Sequence, residues 1–237
     1  DLGGGPQKVG VAVADLFTGM YATVAILAAL RHAERTGEGQ HVDMALLDTQ
    51  VAMLANLGAN YLVSGQYDGK VPGRMGNAHQ NVVPYQVFET APNAQGERDH
   101  MILAVGNDGQ FAKFCAVAGY PQWASDPRFA KNAERVRHRD QLVPLLEQVF
   151  KTRPKADWLR LLEAQQVPAG PINSLAEVFA DPQVRERQMV SAWQHSVGTP
   201  FELVSSPLKL SRTPVRKELP PPTMGQHTDD ILRGVDR

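Results

Sequence analysis

Apolar residues crowd nearly every face of residues 17–35, where Ala, Leu, Ile and Met are interrupted by few charges. A run of that kind predicts a buried helix rather than one lying on a surface, and Thr36-Gly37-Glu38-Gly39 supplies its stop. Ahead of it, Lys8-Val9-Gly10-Val11-Ala12-Val13-Ala14 reads as a strand, and residues 40–45 as a second short one. Residues 47–62 predict another helix with Asp48 near its start, best read as a cap. Turn formers then dominate residues 64–77, which reads as a long loop or linker. Strands follow near 85–89 and 100–105, joined by a polar turn over 92–99. Helices are predicted near 110–118, 135–151 and 155–165, the last behind Thr152-Arg153-Pro154. Val167-Pro168-Ala169-Gly170-Pro171 breaks the pattern before a short helix near 175–179. From about Met189 the chain reads as strand and loop, with Pro220-Pro221-Pro222 held extended. The first third is therefore α/β in character and the middle a small α+β unit. Three segments follow: 1–65, 66–172 and 173–237.

Composition narrows the function more than the fold. The chain has 237 residues with 24 basic against 25 acidic side chains, so no global field favours nucleic acid or an anionic membrane. The longest apolar stretch, residues 20–30 interrupted by Thr23, falls short of the roughly 18 residues a membrane span needs. Cys115 is the only cysteine, which rules out an internal disulfide and fits a reducing, cytoplasmic setting. Within a predicted helix it reads as a small core residue rather than a thiolate nucleophile. The early glycines miss the dinucleotide spacing, and neither a phosphate loop of the Gly-Lys-Ser/Thr kind nor a Gly-x-Ser-x-Gly elbow occurs. The seven histidines form no pair at helical ligand spacing, so no metal site is expected. Arg135-Val136-Arg137-His138-Arg139 reads as a solvated helix face.

Asp15 carries the candidate chemistry. It stands between the predicted strand and the long helix, where the positive end of a helix dipole and unpaired N–H groups favour an ionised carboxylate. Taken alone, this residue reads first as an ordinary N-cap. A second cluster, Gly73-Arg74-Met75-Gly76-Asn77-Ala78-His79-Gln80-Asn81 with Pro84-Tyr85, changes that reading. Together with Ala14-Asp15-Leu16-Phe17-Thr18-Gly19-Met20, Ile26-Leu27-Ala28-Ala29-Leu30, Thr36-Gly37-Glu38-Gly39-Gln40, Asp43-Met44-Ala45-Leu46-Leu47-Asp48 and Gly225-Gln226-His227-Thr228-Asp229-Asp230, it resembles the class III coenzyme A transferases. That group includes formyl-CoA transferase and L-carnitine CoA-transferase. The resemblance runs essentially end to end. It implies the C-terminal part of a two-domain α/β fold, with a large-domain remnant plus a small α+β domain. It also implies a homodimer of interlocked chains. Family members carry a nucleotide-fold segment of well over a hundred residues before the nucleophile, so the chain reads as the C-terminal portion of a longer protein.

The resemblance makes Asp15 a catalytic nucleophile and Gly76, Asn77, Ala78 and His79 a substrate-binding glycine loop. It implies an acyl-CoA and a carboxylic acid as substrates, and no further cofactor, metal, nucleic acid or membrane partner is expected. An aspartate side chain in water has a pKa of about 3.9, so such a nucleophile needs no base beside it. Oxyanions formed on the way gain roughly 3 kcal/mol from each well-placed backbone donor. Glycines 73 and 76 suit a moving lid that shields the intermediates from water, while a plain turn explains them without chemistry. Two other readings stay open. An α-methylacyl-CoA racemase of the same superfamily would use an Asp and a His to exchange an α-proton, but Leu16-Phe17-Thr18 and Asn77-Ala78-His79-Gln80-Asn81 look transferase-like. A non-catalytic scaffold would use Asp15 only to cap a helix.

Overall fold

A computed structural model describes residues 5–65, 73–195, 198–216 and 219–235. The first element, α1 (Val13–Thr36), absorbs the end of the predicted strand. The run from Lys8 forms no strand, and neither do residues 40–45, since no described strand lies beside either to complete a ladder. Helix α1 ends as predicted, with Gly37 at φ 77° donating its N–H to the Ala33 carbonyl. Its hydroxyls turn inward onto the helix, Thr18 to Ala14 and Thr23 to Gly19, which leaves an apolar cylinder.

The expectation that α1 is buried fails. None of its residues is buried, and Leu16, Met20, Val24 and Leu27 are each about 60% exposed. Among the described residues, the helix packed along it to an appreciable extent is α2 (Leu46–Ala52). Among the described residues α1 alone is long and apolar enough, by length and composition, to cross a bilayer. That corrects the count of apolar residues, because the helix carries its apolar character through Thr and Gly positions. Core helices of soluble proteins pass the same test. The single helix expected over 47–62 is instead three pieces: α2, α3 (Ala55–Asn60) and one π-type turn, Tyr61–Gly65. Ala55, at φ 44°, breaks the i to i−4 ladder between the first two. Asp48 caps nothing, since Ala45 occupies the cap position and makes no side-chain bond.

The core begins after the glycine loop. Strands β1 (Tyr85–Glu89) and β2 (His100–Ala104) form the expected antiparallel pair, with Tyr85 opposite Ala104 and Glu89 opposite His100. Their alternation points Gln86, Phe88, Met101 and Leu103 to one side. The segment read as a break supplies β3 (Ala169–Pro171), which pairs with β2 and closes a three-stranded sheet in the order β1-β2-β3. Four helices belong to the same unit: α4 (Asp108–Ala118), α5 (Asn132–Arg137), α6 (Arg139–Phe150) and α7 (Lys155–Ala164). The long helix expected over 135–151 is divided between α5 and α6 by His138, whose backbone (φ −107°, ψ 28°) is not helical. Phe150 centres the core. It stacks on Phe88 at 4.5 Å and meets the Trp158 ring at 5.0 Å, and the Trp158 indole N–H donates to the Phe150 carbonyl at 2.9 Å. Cys115 is buried as expected, and burial pushes its thiol up to about 12.

Beyond the core, α8 (Leu175–Ala180) opens on a capping box in which Ser174 and Glu177 satisfy each other's backbone N–H groups. Asp181 caps α9 (Pro182–Glu186) in turn. Strands β4 (Val190–Trp193) and β5 (Phe201–Val204) make a separate antiparallel pair. The tail is not all strand and loop: Thr228–Val235 forms α10, with Asp229 and Asp230 in its first turn and Arg233 paired to Asp230.

Candidate active site

The loop over residues 75–79 is a built structure rather than a slack connection. Gly76 takes φ 61°, a left-handed conformation that disfavours any side chain, and the Ala78 N–H closes the turn onto the Met75 carbonyl at 3.1 Å. Gly73 differs: nothing lies within 4 Å of where a Cβ would stand, so close packing does not explain that glycine. The Asn77 side-chain oxygen accepts the Val87 N–H at 3.0 Å, which hooks the turn to the free edge of β1. His79 repeats the attachment one step on. Its N–H donates to the Tyr85 carbonyl at 2.8 Å, and its ring stacks on Tyr85 with centroids 5.2 Å apart. The Asn81 N–H donates to His79 Nδ1, so a neutral His79 ring keeps its proton on Nε2 and presents a donor there.

A cavity of about 650 Å³ lies between this loop and the α3 region. Gly76, Ala78 and His79 line it, together with Arg74, Met75 and Gln80, facing Leu54, Leu57, Gly58 and Tyr61. Its surface is mostly apolar, with Arg74 as the cation at its wall. Arg74 is exposed and makes no ion pair among the described residues. A second cavity of about 470 Å³ touches the opposite side of the same turn, and here Asn77 joins Gly76 and Ala78, facing Gln86, Arg139 and Glu147. The candidate loop residues are therefore together, but they divide between two spaces. Asp15 lines neither. It is exposed in the first turn of α1, three residues beyond Ala12, which holds the cap position without any side-chain bond. The capping alternative for Asp15 accordingly has no hydrogen bond to support it.

The basic cluster over 135–139 is solvated only in part: Arg137 is exposed, as expected. Arg135 is fully buried, not solvated. Its Nε donates to the Val83 carbonyl at 2.6 Å, Nη1 to Phe129 at 2.8 Å and Nη2 to the Asp108 carboxylate at 3.0 Å, while its guanidinium lies 4.3 Å from the Phe111 ring centre. Burial pushes Arg135 down from its ordinary value, with Asp108 opposing. At Asp108, burial acts upward, but the Arg135 hydrogen bond and charge and the Asn132 N–H outweigh it and hold the carboxyl below the usual range. Arg139 is half-buried and donates to the His79 and Gln80 carbonyls at 2.7 and 2.8 Å. The spacing of three between Asn132 and Arg135 was an available signal that these two side chains share one side of a helix, whereas Arg139 opens the next helix beyond His138 and joins them only in the fold.

Three comparisons bear on this arrangement. The model of the CoA-transferase family III matches residues 1–228. Succinate–glutarate CoA-transferase of Agrobacterium fabrum is 48% identical over 98% of this chain and 56% of its own length. Human succinyl-CoA:glutarate CoA-transferase is 37% identical over 99% of this chain and 51% of its own. A CAIB/BAIF family protein from Brucella suis, solved by crystallography, superposes with a TM-score of 0.77 at 42% identity, covering all of this chain and 58% of that one. The chain thus spans about half the length of the curated relatives it matches. On sequence and fold alike, it belongs to the CoA-transferase family III.

Proposed function

We propose that the protein transfers coenzyme A from an acyl-CoA to a carboxylic acid, with Asp15 as nucleophile and the 76–79 loop as part of the substrate site. The observation that carries this reading is the family match over residues 1–228, which takes in both Asp15 and the loop. Two features support the roles. The Asp15 carboxylate is exposed at the N-terminal turn of a 24-residue helix, whose dipole favours negative charge there. The loop residues line a mostly apolar cavity of a size suited to a small ligand.

The steps balance without a net proton transfer. An Asp15 oxygen adds to the thioester carbonyl carbon and the C–S bond breaks, giving a mixed anhydride and CoA thiolate. The thiolate adds to the aspartyl carbonyl and the donor acid leaves as its carboxylate, with Asp15 now a CoA thioester. An acceptor carboxylate then attacks that thioester, and the returned thiolate takes the acceptor's acyl group, which frees Asp15. The two named relatives act on succinate and glutarate, and short dicarboxylic acids are the substrate class proposed here. The homodimer and the cytoplasmic setting implied by the resemblance belong to the same proposal.

The test is acyl exchange between succinyl-CoA and a panel of mono- and dicarboxylic acids. Asp15→Asn is expected to lose transfer by a factor on the order of 10³ or more, because an amide is a poor nucleophile and cannot be regenerated as a carboxylate. Mass spectrometry of the working protein should find a CoA adduct on the peptide containing Asp15. Near-normal transfer by Asp15→Asn would end this assignment.

A further inference from the structure

We infer that Arg139, with Asn132 and Arg135 beside it, positions the 76–79 loop for substrate; this rests on the reading of that loop as the substrate site. The three side chains stand at steps of three and four across α5 and α6, and all point at one stretch of backbone, residues 79–83. Asn132 bonds it twice, its Nδ2 donating to the Asn81 carbonyl at 2.8 Å and its Oδ1 accepting the Val83 N–H at 3.1 Å. Arg135 holds the Val83 carbonyl, and Arg139 holds those of His79 and Gln80. Five hydrogen bonds thus hold four of the five residues from the end of the loop onward, His79, Gln80, Asn81 and Val83. They come from 49 to 60 positions away in sequence, so they tie the loop to the core rather than to its own neighbours.

The geometry makes this more than a staple. The turn has a cavity on each side, with Met75, Gly76 and Ala78 lining both, so packing alone does not set its position. Two anchors remain: the Asn77 and His79 bonds to β1, and the stripe on α5 and α6. Arg139 is the member of that stripe nearest the loop in sequence contact, and it also lines the smaller cavity. Its Nη1 and the Gln80 side-chain oxygen are both buried and without a hydrogen-bond partner among the described residues. The same two residues therefore hold a donor and an acceptor in reserve, beyond the bond they already share. A shift of the loop that joined them would cost no existing solvent contact at either atom.

The experiment compares Arg139→Met, Arg139→Lys and Val149→Ala, the last a core substitution that leaves the loop untouched. Amide hydrogen exchange read over residues 76–83, and steady-state transfer from succinyl-CoA to glutarate, are measured for each. Arg139→Met is expected to speed exchange over 76–83 selectively. It should also raise the KM for the acid about tenfold and increase thioester loss to water relative to transfer, with Arg139→Lys recovering part of each. Val149→Ala should lower thermal stability without those changes. Exchange over 76–83 that is unchanged in Arg139→Met, or that rises equally in Val149→Ala, overturns the positioning role. If the unaltered protein transfers no CoA to any acid, the functional reading fails instead, while the exchange measurement still decides whether Arg139 holds the loop. An active Arg139→Met with ordinary KM and ordinary hydrolysis also overturns it.

Discussion

Residues 13–65 and residues 83–167 are both rich in Leu, Ala and Val, yet they meet opposite environments. Every buried hydrophobic side chain of the described protein belongs to the second region, whereas across α1, α2 and α3 only Thr49 is buried. The difference lies in how apolar residues are distributed around each helix. On α6 they recur at Leu142, Leu146, Val149 and Phe150, a single stripe that one sheet face can cover. On α1 the large side chains Leu16, Phe17, Met20, Tyr21, Val24, Leu27 and Leu30 cover about half of the circumference, and Ile26 with Ala22, Ala25 and Ala29 carry the apolar surface round the rest. A one-sided helix is satisfied by the neighbours this chain supplies. An all-round apolar helix needs cover on several sides, and here α2 gives it little. The candidate nucleophile sits on the uncovered region and the candidate loop on the rim of the covered one, so chemistry that uses both has to bring the two regions together.

The largest effect that sharpens this contrast is expected at Trp158. Its side chain is fully buried, meets Phe150, and lies under the Arg153 guanidinium at 4.8 Å. Trp158→Ala removes that packing and the indole bond to the Phe150 carbonyl, and should cost about 3–5 kcal/mol of stability in urea unfolding. A loss near zero would show that the core around Phe150 is not the unit that melts.

An intermediate effect is expected from Asp108, which anchors Arg135 in the covered region. Its carboxyl is held below the usual range, with Arg135 overcoming the opposing effect of burial. The sign follows: the folded state binds this proton less readily than the unfolded chain, so the contribution is full above the unfolded pKa of about 3.9 and is lost as pH falls through the lower folded value. Asp108→Asn should therefore lower stability at pH 7 and flatten its decline between about pH 5 and pH 2, because the titrating group is gone. Parallel pH profiles for the two proteins would contradict this. The carboxyl is partly exposed, so water screens the pair and the effect should fall short of that at Trp158.

How much of this was legible in the sequence depended on the range of the interactions involved. The β1–β2 pair was readable to within one residue because alternation and a polar turn are local signals. The two early strands were misread for the converse reason: apolar alternation looks the same whether or not a partner strand exists. Burial of Arg135 was invisible, since the groups that make it tolerable, the Val83 and Phe129 carbonyls and Asp108, come from three separate segments. A cation next to Arg137 and Arg139 reads as solvated unless those partners are known. The candidate site was half legible. Gly76, Asn77, Ala78 and His79 form one ordered turn between two cavities, as a turn-former cluster before a strand suggests. The residues facing them from α3, and the stripe of Asn132, Arg135 and Arg139 behind them, required the fold.

The smallest expected effect gives the sharpest test of the contrast. Leu27, on α1, is 61% exposed, and in this chain Leu27→Ala should change stability by no more than about 0.5 kcal/mol. Cys115 supplies an independent reading of the same question. Burial pushes its thiol up to about 12 and closes it off from solvent, so a disulfide reagent should modify it mainly when the core opens. Leu27→Ala should leave that rate unchanged, whereas Trp158→Ala should raise it steeply, because the same cooperative unit contains Trp158 and Cys115. If Leu27→Ala instead costs as much as a core truncation, α1 is covered in solution by protein the described residues do not supply. Repeating the measurement over a range of protein concentrations then separates cover by a second copy from cover within one chain: a dimer loses the penalty on dilution, and an intramolecular contact does not.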